Sequence, residues 1–362
     1  MARVIVGMSG GVDSSVTAAL LKQAGHDVVG VTLNVWPKLD NLPEIERDDA
    51  CCALGAVEDA RRVADKLDIP YYVLNFRDVF EDTVIKDFVR TYASGRTPNP
   101  CIRCNQFIKF DALLVKARHL GADYVATGHY ARIEHGTGER GRNRLRKAAD
   151  SGKDQSYVLY VMSQERLGVA LMPLGDLTKA DTRRIAAELG LGVATKPESQ
   201  DICFVPFRRY GEFIELYAPD VLQPGPIVDQ QGTVLGEHRG VALHTVGQRR
   251  GLGIATGTPQ FVTQVVPETN TVVVGSADDL LTASCRLEEV SWIEGSAPDA
   301  PLRAMARTRY RGQEAPCRVA RDATADGQLV VHFDQPQRAV SPGQALVLYD
   351  GEYVLGGGTI AR

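Results

Sequence analysis

A chain of 362 residues with 41 basic and 45 acidic side chains, a formal net charge of −4, has room for two or three domains at about 150 residues each. Its 44% hydrophobic and 24% charged content fits a chain that buries a core, which excludes disorder and collagen-like structure, and no run reaches the roughly 18 uncharged apolar residues of a membrane helix. Seven cysteines, an odd number over this length, do not make a disulfide scaffold, and MARVIVGMSGGVDSS lacks the succession of a secretory signal, so a cytoplasmic protein with no membrane partner is expected.

Apolar strand-like runs then alternate with amphipathic stretches: RVIVGM (3 to 8), VDSSVTAALLKQAG (12 to 25), DVVGVTL (27 to 33), CALGAVEDARRVADKLD (52 to 68), YYVLNF (71 to 76), a helical pattern over 78 to 93, and DYVATGH (123 to 129). This alternation predicts an α/β domain over 1–210 with a doubly wound, mostly parallel sheet. Within it ERGRNRLRK (139 to 147) reads as a polar insertion and a mobile loop. From about 224 the helical periods give way to short β-rich runs: VALHTVGQ, QFVTQVV, TVVVGS, RLEEVSWI, RAMARTRYR, QLVVHF, ALVLYD and YVLGGGTI. Turn signals such as PETN, ADGQ, SPGQ and DGE separate them. SADDL breaks the series near 278, so two small all-β modules are expected, 211–278 and a barrel-like 279–362.

The sharpest local signal is SGGVDSS, Ser9 to Ser15, which follows a strand and opens a helix. Ser and Gly at the carboxyl edge of a parallel strand bring backbone N–H groups up to an anion, and the helix N-terminus adds its dipole. Gly10 and Gly11 permit that approach, Ser9, Ser14 and Ser15 offer hydroxyls, and Asp13 can orient Mg2+ or the loop itself. No Gly-Lys-Ser/Thr follows, so this is not a Walker A motif, and a glycine turn with an N-cap is the bland alternative. Cysteines form a second constellation, in TPNPCIRCNQFIKF (Thr97 to Phe110) and ESQDICFV (Glu198 to Val205). Cys101 and Cys104 make a CxxC, half of a zinc or iron–sulfur set. Cysteines 51, 52, 203, 285 and 317 supply no second CxxC and no nearby His pair completes the set, so no metal site is assigned.

The SGGVDSS loop resembles the PP-loop of the ATP pyrophosphatase superfamily, whose members split ATP between the α and β phosphates and adenylate a carbonyl oxygen. That resemblance implies ATP, with Mg2+, at Gly7, Met8, Ser9, Gly10, Gly11, Val12, Asp13, Ser14 and Ser15, with Leu33 and Gly128 at neighbouring strand ends. The two cysteine motifs, GMSGGVDSS, the Cys51–Cys52 pair, ATGHYAR (126 to 132), KDQSY (153 to 157), HTVGQRRGLG (244 to 253) and SPGQ (341 to 344) together resemble the bacterial and organellar tRNA-specific 2-thiouridylases. The resemblance spans nearly the whole chain and implies thiolation at C2 of the wobble uridine in the anticodon loop of tRNA. It implies that Cys203 receives a persulfide from a donor such as a cysteine desulfurase or a sulfur-relay protein. Cys104 then either releases hydrosulfide from that persulfide or acts as a general acid/base, ending as a disulfide with Cys203.

By the same resemblance Asn99, Pro100 and Cys101 line the target base, and His129, Lys153, Asp154, Gln155, Arg309, Tyr310 and Gln344 contact the tRNA. Many members of the family carry Asp where this chain has Cys101. Cys104 is preferred as the working thiol because Asn-Pro-x-x-x-Cys-Asn aligns it with the family's single cysteine, and Cys51 and Cys52 receive no role. The module 279–362 is then the tRNA-binding one. Between Leu302 and Arg321 six arginines face one acid, Glu314, and strand alternation would set Arg307, Arg309 and Arg311 in one row able to track phosphates. Arg249, Arg250 and the 140–147 loop add basic clusters. A solvated charged face is the plainer reading of such rows. Two other classes stay open: a PP-loop small-molecule ligase, which needs neither Cys203 nor the arginines, and a noncatalytic redox-sensing RNA-binding protein, which does not need SGGVDSS.

Overall fold

The structure, a computed structural model, describes residues 1–36, 54–198, 202–205, 210–298, 300–322 and 328–361. Cys51, Cys52 and residues 199–201 of the second cysteine motif lie outside the described residues.

The chain opens with β1 (Arg3–Gly7), α1 (Val12–Gln23), β2 (Asp27–Asn34), α2 (Leu54–Lys66) and β3 (Tyr71–Asn75). Consecutive side chains on a strand point to opposite faces, and the apolar run of β1 uses both. Val4 and Val6 pack with Val16 of α1 and Val63 of α2, whereas Ile5 packs with Phe80, Phe88, Ile108 and Phe204 beneath the sheet. Helical segments at Arg77–Phe80, Glu81–Ile85 and Lys86–Ala93, and again from Pro100 to His119, supply that lower layer. With β4 (Tyr124–Ala126) the chain crosses to the other side of β1, and the finished order is β3-β2-β1-β4 plus a short later strand, all parallel. The order reverses between β1 and β4, and the crevice outside their carboxyl ends is where an open parallel sheet holds ligands.

The polar stretch ERGRNRLRK departs from its expectation. β5 (Ala131–Glu134) and β6 (Arg144–Lys147) form a hairpin, and Leu145 is fully buried. The sequence signal misled because the charges are spent locally: Arg146 pairs with Glu134 and Glu352, and the Arg144 guanidinium lies 3.3 Å from the centre of the Tyr353 ring. β7 (Ala170–Leu171) then completes the parallel sheet.

Beyond the helix Tyr210–Tyr217 come β8 (Gly225–Val228), β9 (Val234–His238), β10 (Phe261–Val266) and β11 (Thr271–Gly275), one small sheet around Ile227, Val262 and Val272. VALHTVGQ, expected as a strand, is instead a tight turn at Val241–Leu243 followed by extended loop. The last module is β12 (Leu281–Trp292), β13 (Leu302–Arg307), β14 (Ala315–Arg321), β15 (Leu329–Arg338), β16 (Ala345–Asp350) and β17 (Tyr353–Ile360). Among the described residues these six strands close into a barrel through pairing of β12 with β17, and β17 also pairs with β6. The sheet of the last module thus ends on a hairpin from the first.

Candidate active site

The loop after β1 sits at the switch point. Gly10 adopts φ +69°, and a Cβ there would collide with the carbonyl of Ala56 in α2. Gly128, just past β4, approaches from the other side, where a Cβ would lie 2.8 Å from the Ser14 N–H nitrogen. Inside the loop the Ser9 N–H donates to Ser14 Oγ (3.1 Å), and the Ser14 and Ser15 hydroxyls both donate to the Gly11 carbonyl (3.2 and 2.8 Å). Met8 is buried, and its N–H bonds to the Val31 carbonyl (2.8 Å), which ties the loop to β2 two residues before Leu33. The result is a shaped backbone cradle at a helix N-terminus, with Val12 inside the core.

Charged side chains from distant segments ring this cradle. Lys179 Nζ lies 2.7 and 2.8 Å from the two carboxylate oxygens of Asp13 and 2.9 Å from Glu198 Oε1. Lys153 Nζ reaches Glu198 Oε2 at 2.6 Å, and Lys196 Nζ bonds to the Gly10 carbonyl (3.1 Å) and to Asp59 (2.7 Å). The Tyr130 hydroxyl, kept protonated by burial, donates to Asp13 Oδ1 at 2.8 Å. Partial burial favours the neutral acid at Glu198, but the hydrogen bonds from Lys153 and Lys179 outweigh it and hold the carboxyl down at about 2. Lys179, Lys196 and Tyr130 were not legible as site residues. Thr178 and Asp181 form a reciprocal capping box at the start of the helix that carries Lys179, and nothing local points to a loop 166 residues away.

The first cysteine motif forms a helix that widens after its first turn. Pro100–Arg103 runs into Cys104–Ala112, where the Leu113 N–H reaches back five residues to Ile108. Cys101 is exposed, whereas Cys104 and Cys203 are half-buried and pack against one apolar cluster under the sheet. Next to Cys104, the buried Asn105 side chain donates to the Val158 carbonyl at 2.9 Å. Farther along this helix, Lys109 Nζ stands 3.4 Å from His129 Nε2, and Thr127 Oγ1 lies 2.7 Å from Nδ1. Burial, helped by the Lys109 charge, pushes His129 well below the usual imidazole range, so the ring is neutral. Cys285 and Cys317 lie in the barrel, and burial pushes their thiols up to about 12 and about 11, which makes them poor nucleophiles. Among the described residues no group of three or more His, Cys, Asp or Glu is arranged to hold a metal.

Several residues expected to contact tRNA also have partners inside the protein. Gln344 Nε2 donates to the carbonyls of Thr97 and Pro98 (3.1 and 3.0 Å), so SPGQ fastens the segment that leads into Asn99 and Pro100. Asp154 is buried, accepts from the Ala148 and Ser156 N–H groups and the Ser156 hydroxyl, and takes Arg307 Nη1 at 3.0 Å. Gln155 bonds to Tyr130 on both sides, N–H to carbonyl (2.8 Å) and Oε1 to N–H (2.9 Å), and so orients the phenol that meets Asp13. The arginine row is corrected. β13 ends at Arg307, whose guanidinium turns inward to Asp154 and Glu314, and Arg309 to Arg311 form a turn closed by the Gly312 N–H on the Arg309 carbonyl (2.9 Å). Arg309 and Arg311 remain exposed, and Tyr310 stands 6.2 Å from Tyr157, within electrostatic reach of Cys101 and Asp154. The arginine turn of the barrel and the CxxC helix therefore share one neighbourhood.

Three family models cover the chain: a "tRNA methyl transferase HUP domain" over residues 2–207, a "tRNA methyl transferase PRC-barrel domain" over 211–276 and an "Aminomethyltransferase beta-barrel domain" over 282–360. Full-length relatives carry a different description. The tRNA-specific 2-thiouridylase MnmA of Lachnoclostridium phytofermentans is 49% identical over 362 residues, 100% of both chains. That of Moorella thermoacetica is 52% identical over 98% of each chain, and that of Heliobacterium modesticaldum 52% identical over 99% of this chain and 92% of its own. Likeness at half of all positions from end to end, on a fold whose first sheet carries the glycine-rich loop at its switch point, makes this chain a member of the tRNA-specific 2-thiouridylase family.

Proposed function

We propose that this protein uses ATP to replace oxygen by sulfur at C2 of the wobble uridine of tRNA, in the cytoplasm. Residues 1–210 carry the chemistry, 211–278 form a central module, and 279–362 bind the anticodon loop. The observation that carries this reading is that two cysteine segments, 99 residues apart, meet one apolar cluster beneath the sheet whose switch point holds the phosphate cradle. The C2 oxygen is a poor leaving group, so it first attacks the α phosphorus of ATP; pyrophosphate departs and AMP becomes the group that sulfur displaces. Ser9 to Ser15 and Gly128 enclose the phosphates, Asp13 orients the loop through Lys179 and Tyr130 and would hold Mg2+ only by giving up one of those partners, and Leu33 borders the adenine. Asn99, Pro100 and Cys101 line the extruded base, which single-stranded loop geometry makes inexpensive to unstack.

Sulfur arrives as a persulfide on Cys203, delivered by a separate donor protein. The Cys104 thiolate attacks the Cys203 sulfur, a Cys104–Cys203 disulfide forms, and hydrosulfide leaves to add at C2 and expel AMP; a cellular thiol then reduces the disulfide. Lys153, Arg309 and Tyr310 meet the tRNA, while the buried His129, with Asp154, Gln155 and Gln344, shapes the surface that receives it. Pyrophosphate release with and without unmodified tRNA tests the first half-reaction: release that ignores tRNA favours a small-molecule ligase, and no release removes the enzyme reading. Mass spectrometry after loading from a sulfur donor tests the second. Cys203→Ser should carry no persulfide, Cys104→Ser should carry it without completing thiolation, and Cys101→Ser should keep appreciable activity. Persulfide on Cys101 or Cys104 with Cys203 dispensable would overturn the assignment.

A further inference from the structure

The chain Asp13–Lys179–Glu198–Lys153 is balanced in charge, two carboxylates against two ammonium groups, and it starts at the loop itself. Lys179 is its centre. With only 12% of its side chain exposed, one ammonium serves both oxygens of Asp13 and one of Glu198. Asp13 stands in the first turn of α1, so this ammonium is fixed at the helix N-terminus. Lys196 differs: it bonds to the carbonyl of Gly10 and to Asp59 of α2, behind the loop.

A triphosphate brought to this place adds several negative charges beside Asp13 and Glu198, and like charges at such range oppose binding unless a cation changes sides. We propose that Lys179 is the binding residue for the β- and γ-phosphates, held ready between Asp13 and Glu198, and that it exchanges the Glu198 carboxylate for phosphate oxygens when the nucleotide enters. Glu198 is thus a competitor for the same ammonium and sets how much phosphate affinity the empty site withholds. Lys153, on the other oxygen of Glu198, then remains as the counter-ion of that carboxylate. The inference rests on the reading of the loop as an ATP site.

Calorimetric titration of ATP, pyrophosphate and AMP into the full-length protein tests it. K179M should weaken ATP and pyrophosphate by about tenfold or more, the size expected for one charge-assisted contact, while AMP changes less than about twofold. K179R should recover most of the loss. E198Q should tighten ATP several-fold, an effect that a merely structural ion pair does not produce. ATP and AMP weakening together in K179M, or ATP unchanged, overturns the proposal. If K179M does not fold, E198Q decides by itself, since unchanged or weaker ATP binding there overturns it equally. Wild-type protein that binds neither ATP nor pyrophosphate removes the underlying reading of the loop, an outcome distinct from a binding wild type with indifferent variants.

Discussion

Asp13 is half-buried and held by charge and hydrogen bonds. Its carboxylate is met by Lys179 and by the Tyr130 hydroxyl, at 2.7 and 2.8 Å, at the edge of the crevice. Asp13→Ala removes one member of a partly buried ion pair, so it should lower stability by about 1–3 kcal/mol and still fold, while abolishing pyrophosphate release. Normal release by the folded variant, measured with a coupled pyrophosphate assay, would refute the role given to the loop. The residues of this loop were legible because strand, glycines, hydroxyls and helix start occupy consecutive positions. Lys179 and Lys196 were not, since an ion pair that closes over more than a hundred residues leaves no mark on either local pattern. Asp154 and Gln155 were legible as important but not in kind: a polar triplet looks the same whether it faces a substrate or, as Asp154 does, takes a buried guanidinium.

Elements show where polarity in the sequence hides tertiary use. The SPGQ turn reads as a hairpin connection, yet Gly343 has φ +89° and a Cβ there would lie 2.8 Å from the Thr97 N–H nitrogen. Gly343→Ala should cost about 1–3 kcal/mol of stability from left-handed strain and contact, and should raise the KM for tRNA more than that for ATP if Asn99 to Cys101, which Thr97 leads into, line the base as proposed. Steady-state kinetics on the variant check both. In the central module His238 and His244 are buried with their rings 5.4 Å apart, and burial holds both below the usual imidazole range, His244 at about 4. An unfolded imidazole takes its proton near pH 6.5, so stability should fall as pH drops from about 6.5 toward 4, where the folded ring finally accepts one. Thermal melts from pH 7.5 to 5 should show this decline, and His244→Phe should flatten it; an unchanged slope in that variant would exclude the pair as its source.

At the scale of the whole molecule, the barrel is joined to the first domain by a shared core in which Ile102, Phe110 and Tyr157 meet Ile293, Val347 and Tyr349. That junction explains why the arginine row was misread. Strand alternation assigns side chains to faces, but it does not say that one face is covered by another module, and Arg307 lies on the covered one. Arg309 and Arg311 stay outside, so replacing both with Ala should weaken tRNA binding and reduce the log–log salt slope by roughly 0.7 to 0.9 per lost phosphate contact, with ATP affinity nearly unchanged. Affinity measured at several salt concentrations distinguishes this from a solvated face, for which both quantities stay at wild-type values. A loss of ATP affinity as large as the loss of tRNA affinity would sink both readings.

The hairpin β5–β6 gives this junction a history in time. Its outer strand pairs at Arg146 with Tyr353, which leaves the ribosome 207 residues later, a delay of roughly 10 to 40 seconds at about 5 to 20 residues per second. Once β7 has followed and until Tyr353 emerges, the parallel sheet can be complete while the edge of the hairpin, with the apolar side chain of Leu145 beside it, has no strand to pair with. The nascent protein must pass through a state in which its first module can make most of its own sheet and yet lacks the strand that covers its hairpin.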